Sequence, residues 1–516
     1  MKVSLHATIV GLTLVAVSVS AQQITHLTAA SNACANLKTV ALDDVRLTDV
    51  VDVRDSVGDI YNIRSPHCRV SGVIGQSIRF TAILPNDWNQ RVLMGGNGGF
   101  AGSIDGAFGA SKGGYLTIGT NTGHDAPGTN ARWALNDPDR QRDYGYLGVH
   151  RTAVVAKALA KAFYGSEPRF SYFLGCSNGG RQGLMEAQRY PEDFDGIVSG
   201  APAAQFTRII ASFLKNAQAL FPDTSYFRHP IVTKENLVLV GAKVLEKCDK
   251  LDGIADGIID DPRDCHFDLR SIRACPRDRA GADCLTGAQR RAIARIYAPV
   301  TDDRGRVIYS GQPVGGEDDP SGWSVWITGG EENLKNLNVP SVQAKFMTET
   351  GKYFVFKDST WDYSHYRGLM DYAGSWGNIV NADNPDLSRF AARDGKLIIW
   401  HGWADPALNP LETIDYYEKV KARDPKAANY VRLFLESGVE HCGGGPGPSG
   451  VQWLGIITRW VESGAAPSQV SAIKNDNTGK VIMSRPVCPY PEHAVYSGKG
   501  DTNDAINFVC RVKSRP

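Results

Sequence analysis

The segment GCSNG at residues 175–179 constrains this chain more than any other, because it fits the G-x-S-x-G pattern of a nucleophile elbow. The apolar, aromatic residues 170–174 before it predict a short buried strand, and residues 180–190 after it predict a helix that ends at Pro191. Such a turn exposes the serine hydroxyl at a helix N-terminus, where the free amide of Asn178 can stabilise an oxyanion. The alternative is a chance match in a glycine-rich chain, but the flanking strand and helix favour the elbow.

A nucleophilic serine needs a general base, and in the α/β-hydrolase arrangement the chain order is Ser, then Asp or Glu, then His. His441 lies on the glycine-rich segment EHCGGG at 440–445, directly after the strand-like run 430–435. A histidine on a loop after a sheet strand is in the position of a triad base. We therefore predict Ser177 as the nucleophile and His441 as the general base and acid.

Asp405 is the predicted acid, since it follows the buried strand 396–400 in the segment HGWADP. Its carboxylate would fix the tautomer of the imidazole. An Asx-turn or helix cap before Pro406 is the alternative interpretation of this aspartate. His401 could compete as the base, but it precedes the acid in the chain and so breaks the order.

Two cysteines flank the predicted catalytic residues. Cys176 directly precedes Ser177, and Cys442 directly follows His441. A triad holds its serine and histidine within hydrogen-bond reach, so these neighbours could come within disulfide distance. Two free, buried thiols are the alternative.

Together these motifs resemble the tannase and feruloyl esterase family, whose hallmark is a CS-D-HC triad with a disulfide between the two cysteines. Further similar segments are GGNGGFAG at 95–102, SGAP at 199–202 and WVESGAAP at 460–467. The resemblance implies an α/β fold, the α/β-hydrolase fold with a large inserted lid domain. It also implies the disulfide pairs Cys34–Cys68, Cys176–Cys442, Cys248–Cys265, Cys275–Cys284 and Cys488–Cys510.

The domain organisation that we predict has four parts. Residues 1–21 form a secretory signal peptide, with Lys2, an apolar run too short to span a bilayer and a small-residue cleavage site. Residues 22–205 and 386–516 form the two parts of the hydrolase domain. Residues 206–385 form the lid, which has helical stretches at 234–247 and 286–297 but no βαβ rhythm.

An acidic, glycine-containing loop at 249–260 lies inside the predicted lid. Its carboxylates are spaced by three and four residues, and its glycines allow the tight turns that wrap oxygen ligands around a hard cation. The spacing is not that of an EF-hand, and a solvated acidic turn is the alternative. The resemblance implies a structural Ca²⁺ in this loop. Asp249, Asp252 and Asp256 would bind it through their side chains, and Ile254 and Ile258 through their backbone carbonyls.

Aromatic residues are concentrated between Trp323 and Trp376, and a pocket would normally take two or three of them. The cluster suits a flat aromatic acyl group. Arg367 is the cation inside it that could meet a carboxylate, although a surface role is the more ordinary one. The full set is Trp323, Trp326, Phe346, Tyr353, Phe354, Phe356, Trp361, Tyr363, Tyr366, Tyr372 and Trp376.

The second oxyanion donor should come from the glycine-rich loop after the strand 91–94, and we place it at Gly98 or Gly99 without separating them. A phosphate-binding loop is the alternative for this segment, but no Walker lysine follows and the G-x-G-x-x-G spacing is not met.

Composition and charge limit the possible partners and the compartment. The formal net charge of +1 gives no basic stripe for nucleic acid. We expect neither a membrane nor a nucleic-acid partner, and the sequence leaves the oligomeric state open. Ten cysteines fit an oxidising compartment, and no Asn-x-Ser/Thr acceptor is present. We therefore expect a secreted or periplasmic protein.

These expectations combine into one function. The chain should be a serine carboxylesterase for small esters of hydroxycinnamic, gallic or related benzoic and terephthalic acids. The alternative is a serine peptidase or acyltransferase on the same fold. A binding protein with a decayed site is disfavoured, because Ser177, Asp405 and His441 are all present.

Overall fold

The computed structural model describes residues 33–54, 63–221, 227, 229–329, 341–361 and 376–512. The predicted signal peptide lies outside these residues, as do Tyr363, Tyr366, Arg367 and Tyr372. Within the described ranges, no helix has the length and apolar character needed to cross a membrane.

A nine-stranded sheet in the order β1-β2-β3-β5-β4-β6-β7-β10-β11 forms the centre of the molecule. The strands β1 to β3 are antiparallel to their neighbours, whereas β5, β4, β6, β7, β10 and β11 are mutually parallel. The sheet strands are β1 Val45–Val53, β2 His67–Ile74, β3 Ile78–Pro85, β4 Arg91–Gly95, β5 Leu116–Thr120, β6 Phe170–Cys176, β7 Gly196–Gly200, β10 Lys396–Gly402 and β11 Val431–Glu436.

Three small antiparallel pairs complete the strands. They are β8 Val300–Thr301 with β9 Val307–Tyr309, β12 Val470–Asn475 with β13 Val481–Val487, and β14 Glu492–Tyr496 with β15 Phe508–Val512.

Helices connect and cover these strands. Within the described ranges they are α1 Pro138–Arg142, α2 Gly148–Tyr164, α3 Asn178–Arg189, α4 Phe206–Leu220, α5 Lys234–Cys248, α6 Gly287–Tyr297, α7 Trp323–Trp326, α8 Val342–Thr350, α9 Ser388–Ala392, α10 Pro410–Arg423 and α11 Trp453–Ser463. Helix α6 begins where the sequence signals it, because Thr286 and Gln289 form a capping box. This arrangement of a mixed sheet and covering helices is an α/β fold.

The parallel strands explain why distant segments meet. All residues of β7 and β10 are buried, as expected for strands covered on both faces. In the register, Cys176 of β6 lies beside Gly200 of β7, which in turn lies beside Trp400 of β10. The carboxyl ends of these strands are therefore aligned at one edge of the sheet, which is where ligands bind in open α/β sheets.

The buried side chains form three apolar cores. Two of them include residues of the central sheet and its covering helices, among them Phe173 and Trp400. The third contains most of the buried apolar residues of 206–361 and extends to Phe100 and Leu408 near the carboxyl edge. Val380 packs in this third core and Ala382 in one of the sheet cores, so the chain passes from one to the other close to residue 381.

Five disulfides connect the chain, and they are the pairs that the resemblance implies. Four of them join cysteines 9 to 34 positions apart, whereas the Cys176–Cys442 bridge joins cysteines 266 positions apart. The described residues contain no free cysteine.

Candidate active site

The turn at Ser177 has the backbone of a nucleophile elbow. Ser177 has φ 63° and ψ −123°, a strained combination for a residue with a side chain, and it stands between β6 and α3. Its amide donates to Gly200 O at 3.0 Å and its carbonyl accepts from Ala203 N at 3.1 Å, which ties the turn to the end of β7. A Cβ on Gly175 would lie 2.5 Å from the carbonyl carbon of Gly179, so the close approach of strand and helix requires a glycine there.

Asn178 connects the elbow to the glycine-rich loop after β4. Its Nδ2 donates to Asn97 O at 3.2 Å, and its Oδ1 accepts from Tyr144 Oη at 3.1 Å and from Arg181 Nε at 2.7 Å. The same Tyr144 hydroxyl lies 3.2 Å from Gly99 O. The first turn of α3 and the loop are thus held together by a buried network, which the sequence patterns do not reveal.

His441 lies against the carboxylate of Asp405. Its Nδ1 is 2.8 Å from Asp405 Oδ2, in a loop where Gly443, Gly444 and Gly445 all have positive φ. The ring of Trp326 stands edge-on to the imidazole, with ring centroids 4.8 Å apart. The acid and the base that the sequence indicates are therefore in direct contact.

The two oxygens of Asp405 have separate partners. Oδ1 accepts from the amides of Ala407 and Leu408 at 2.8 and 2.9 Å, the Asx-type turn that Asp-Pro sequences favour. Oδ2 accepts from both His441 and His401. Complete burial on its own would raise the pKa of Asp405, but electrostatic attraction to the His441 imidazole and the hydrogen bonds from both histidines hold it below the usual aspartate range.

Ser177 and His441 line one cavity of about 70 Å³, together with Gly99 and Asn178. The rest of its described wall is apolar. One face of helix α4, with the helical spacing i, i+3, i+4 and i+7, supplies four of these side chains. The apolar wall is Ala203, Phe206, Ile209, Ile210, Phe213, Trp326, Phe346, Ala407 and Leu408.

Two of the predicted aromatic residues, Trp326 and Phe346, are thus in the cavity wall, whereas Trp323, Phe354 and Trp376 pack in the third core. Sequence reasoning missed the contribution of α4. The signal was the helical spacing of Phe206, Ile209, Ile210 and Phe213.

Gly99 is in the cavity wall and has φ +54°, and a Cβ there would collide with the carbonyl oxygen of Gly128. Gly98 precedes it, is outside the lining set, and has open space at its Cβ position. The glycine-rich loop therefore reaches the cavity, and Gly99 is the member of the pair that lines it.

Comparison with known proteins identifies the family of the chain. Residues 63–511 match the family model described as tannase and feruloyl esterase. The mono(2-hydroxyethyl) terephthalate hydrolase of Piscinibacter sakaiensis is 33% identical over 516 residues, covering 86% of this chain and 84% of that protein. Feruloyl esterase B of Aspergillus niger is 32% identical over 472 residues, covering 86% of each chain. The chain belongs to the tannase and feruloyl esterase family.

A solved structure of the family agrees in fold. Feruloyl esterase B from Aspergillus oryzae superimposes with a TM-score of 0.82 at 27% identity, covering 93% of this chain and all of that one. The α/β-hydrolase fold is thereby confirmed, and the chain is a carboxylic ester hydrolase of the tannase and feruloyl esterase family.

The acidic loop that the family resemblance singled out is compact. Asp249 Oδ1 accepts from the amides of Asp256 and Gly257 at 3.2 and 2.9 Å, and Asp256 Oδ2 accepts from Arg485 Nη2 at 2.7 Å. Burial raises the pKa of Asp252 to about 6, and the charges of Asp260 and Asp256 add to this rise against a hydrogen bond from the Ile254 amide. Asp260 is outside the predicted ligand set.

The donor atoms of this loop are oxygens, the type that a hard cation prefers, but the carboxylates of Asp249, Asp252 and Asp256 are not gathered within 4.8 Å of one another. A divalent ion bound beside Asp252 would offset the neighbouring negative charges that raise its pKa, and the loop also offers backbone carbonyls. The side chains of Ile254 and Ile258 are buried, which anchors the backbone on both sides of Asp256.

A second group of titratable side chains lies where helices α2 and α3 meet. His150 Nδ1 is 2.6 Å from Asp193 Oδ2, and buried Glu186 has a carboxylate oxygen within 4.8 Å of both atoms. Burial raises the pKa of Glu186 well above its ordinary value, and the charge of Asp193 adds to the rise. Both carboxylate oxygens of Glu186 are buried and have no hydrogen-bond partner among the described residues, so the contact between His150 and Asp193 leaves Glu186 unsatisfied.

The disulfide beside the catalytic loops leads to a first prediction. The Cys176–Cys442 bridge has a Cα–Cα distance of 5.9 Å and joins the elbow to the histidine loop. Replacing both cysteines by alanine should destabilise the fold by about 5–6 kcal/mol in the chain-entropy model. It should also lower kcat up to about a hundredfold, because drift of about 1 Å between catalytic groups costs that much.

The Cys275–Cys284 bridge is the matched control, since it joins cysteines only 9 positions apart and neither lines the cavity. Its double alanine variant should lose less stability and keep its kcat. Thermal melts and steady-state kinetics on both variants check the prediction. Unchanged kcat and Tm after removal of Cys176 and Cys442 would contradict it.

Proposed function

We propose that this protein is a secreted serine esterase that hydrolyses esters of aromatic carboxylic acids through Ser177, His441 and Asp405. The observation that carries the proposal is the 2.8 Å hydrogen bond between His441 and Asp405, beside a cavity that His441 shares with Ser177. Secretion is supported by the disulfides and by the predicted signal peptide.

The reaction has two halves. His441 Nε2 removes the proton of the Ser177 hydroxyl while Oγ adds to the ester carbonyl. Amides of Asn178 and of Gly98 or Gly99, with Gly99 favoured by its place in the wall, stabilise the oxyanion. Collapse breaks the ester bond, His441 gives its proton to the leaving alcohol, and an acyl-enzyme remains. Water activated by His441 then releases the acid and restores the Ser177 hydroxyl.

The cavity supports an aromatic acyl group. The described wall beyond the catalytic groups is entirely apolar and includes Phe206, Phe213, Trp326 and Phe346. Such walls favour a flat ring through apolar burial and edge-on contacts. Two relatives are named as a feruloyl esterase and a mono(2-hydroxyethyl) terephthalate hydrolase, and both names refer to esters of aromatic acids.

A panel of esters tests this function. Purified protein is assayed on methyl ferulate, methyl gallate and a terephthalate half-ester, with methyl 3-phenylpropanoate and methyl 3-cyclohexylpropanoate as a matched flat and puckered pair. We expect at least one aromatic ester to be hydrolysed and the phenyl member to have the higher kcat/KM. Turnover of peptide amides, or transfer to added alcohols in preference to water, would instead support a peptidase or an acyltransferase.

We also propose that the acidic loop binds a structural Ca²⁺. Asp249, Asp252 and Asp256 would supply carboxylates, and Ile254 and Ile258 would supply carbonyl oxygens. The raised pKa of Asp252 beside Asp256 and Asp260 supports the proposal. None of these five residues lines the cavity of Ser177, so the ion would stabilise the fold and take no part in the reaction.

Chelation provides the corresponding prediction. A metal ion that binds only the folded state stabilises it by about 2–4 kcal/mol when its free concentration is a hundred to a thousand times Kd. Exhaustive chelation should therefore lower the Tm while changing kcat little, and added Ca²⁺ should restore the Tm. Calorimetry with metal analysis checks both statements.

The variant Asp252→Asn should lose the response of the Tm to Ca²⁺. Asp268→Asn is the matched control, because Asp268 lies outside the loop and pairs with Arg270 on the surface. A Tm that is unchanged by chelation, in protein without bound calcium, would overturn this site.

A further inference from the structure

His401 is the buried histidine that the reaction cycle leaves unused. It is 0% exposed, at the end of β10, and it is not among the residues that line the Ser177 cavity. It therefore cannot take a proton from the serine or meet a substrate from this position. Its contacts lead to Asp405 instead.

The hydrogen bonds of His401 define the state of its ring. Nε2 lies 3.1 Å from Asp405 Oδ2 and 3.2 Å from Leu408 O. Both partners are acceptors, so Nε2 carries the proton and its N–H is shared between them. Nδ1 lies 2.8 Å from Thr413 Oγ1 on helix α10, which fixes the ring from its other side.

We infer that His401 is a positioning residue that holds Asp405 Oδ2 toward His441, through an Nε2–H donor that is itself fixed by Thr413. This inference rests on the proposed function of the triad. Asp405 Oδ2 is the one oxygen that both histidines contact, whereas Oδ1 is occupied by two backbone amides. The carboxylate is thus fixed by four N–H donors, of which only the one from His441 belongs to the catalytic cycle.

The N–H of His401 also stabilises the negative charge on Asp405 Oδ2 through its hydrogen bond. Other titratable groups near Asp405 are Glu440, from the histidine loop, and Tyr309, at the end of β9. Burial raises the pKa of Glu440 to about 8, so it is mostly neutral at pH 7. Tyr309 Oη accepts from the Asn409 amide. The two imidazoles that bond to this carboxylate are those of His441 and His401.

Removing the donor should have two effects. In His401→Leu the carboxylate loses one of its restraints, and we expect kcat to fall about ten- to a hundredfold with little change in KM. The freed charge on Oδ2 should also favour protonated His441, because a hydrogen bond to a charged group is lost. The acid limb of the pH–rate profile should then move to higher pH by on the order of one unit.

His401→Gln is the matched variant. The amide nitrogen of glutamine occupies a place similar to Nε2 and can donate to Asp405, so both the rate and the position of the acid limb should return toward those of the native enzyme. Thr413→Val, which removes the partner of Nδ1, should give a smaller shift in the same direction. It keeps the prediction testable if His401→Leu does not fold.

The measurement should not depend on the natural substrate. A fluorophosphonate reacts when Ser177 Oγ forms a bond to phosphorus, fluoride leaves and His441 takes the hydroxyl proton. Its rate constant of labelling is recorded against pH by mass spectrometry, for native enzyme and for the three variants, with the Tm of each.

The outcomes separate two failures. If the native enzyme is not labelled at Ser177, the proposed triad is wrong. If it is labelled, but His401→Leu and Thr413→Val keep the native rate and acid limb, the positioning role of His401 is wrong. A lower Tm with an unmoved acid limb in both variants would likewise leave His401 as a packing residue only.

Discussion

Replacing Ser177 by alanine should abolish ester hydrolysis, lowering kcat by about 10⁵–10⁶-fold. The variant keeps substrate binding and the oxyanion donors, so a small residual rate above water is expected. Its Tm should stay close to that of the native enzyme or rise slightly. One hydroxyl is lost, and the strained φ of 63° at this residue is retained.

Two measurements test this prediction. Steady-state kinetics on the best ester of the panel give kcat for the variant, with Ser463→Ala as a control at a serine whose hydroxyl bonds to Arg459 O on an exposed helix end. Native enzyme should also show a burst of released alcohol when deacylation is the slower step. Turnover by Ser177→Ala comparable to that of the native enzyme would remove Ser177 from the nucleophile role.

The candidate site could be predicted from sequence because its residues follow strands with strong local signals. The apolar runs before Ser177, Asp405 and His441 are β6, β10 and β11, which extend one or two residues beyond the predicted ends. In a parallel sheet the carboxyl ends of neighbouring strands share one edge, so local patterns suffice to bring these residues together.

Contacts between segments without such a pattern were not predictable. Strands β1 to β3 pair antiparallel with one another, and the C-terminal hairpins β12–β13 and β14–β15 pack outside the main sheet. Their pairing depends on register and burial over many residues rather than on a motif. The Tyr144 hydroxyl that joins Asn178 to the glycine-rich loop belongs to the same class of contact.

Asp405 shows how two interpretations of one residue can both apply. The Asx-turn and the triad acid were alternatives in the sequence, and the structure gives Oδ1 to the turn and Oδ2 to the histidines. Chain order favoured His441 over His401 as the base, but it could not indicate that His401 bonds to the same carboxylate. That contact is decided by side-chain geometry at the end of β10.

The histidine prediction follows from this geometry. His441→Ala should lower kcat by about 10⁵–10⁶-fold, nearly as much as loss of Ser177, because the serine then has no base and the leaving alcohol no acid. Asp405→Asn should cost about 10⁴-fold, since an amide can stabilise the wrong tautomer of His441. Added imidazole should restore part of the activity of His441→Ala, as it can enter the cavity that the missing ring leaves beside Trp326.

The two histidines that bond to Asp405 should differ in how much kcat depends on them. His441 is the histidine that both contacts Asp405 and lines the cavity of Ser177, whereas His401 contacts Asp405 alone. His441→Ala should therefore lower kcat more than His401→Ala does. His266 is exposed and serves as the control, since its replacement should leave kcat unchanged. If His401→Ala were the more damaging variant, or if imidazole rescued His401→Ala rather than His441→Ala, the base would be His401 and its proton would have to reach Ser177 through a rearranged site.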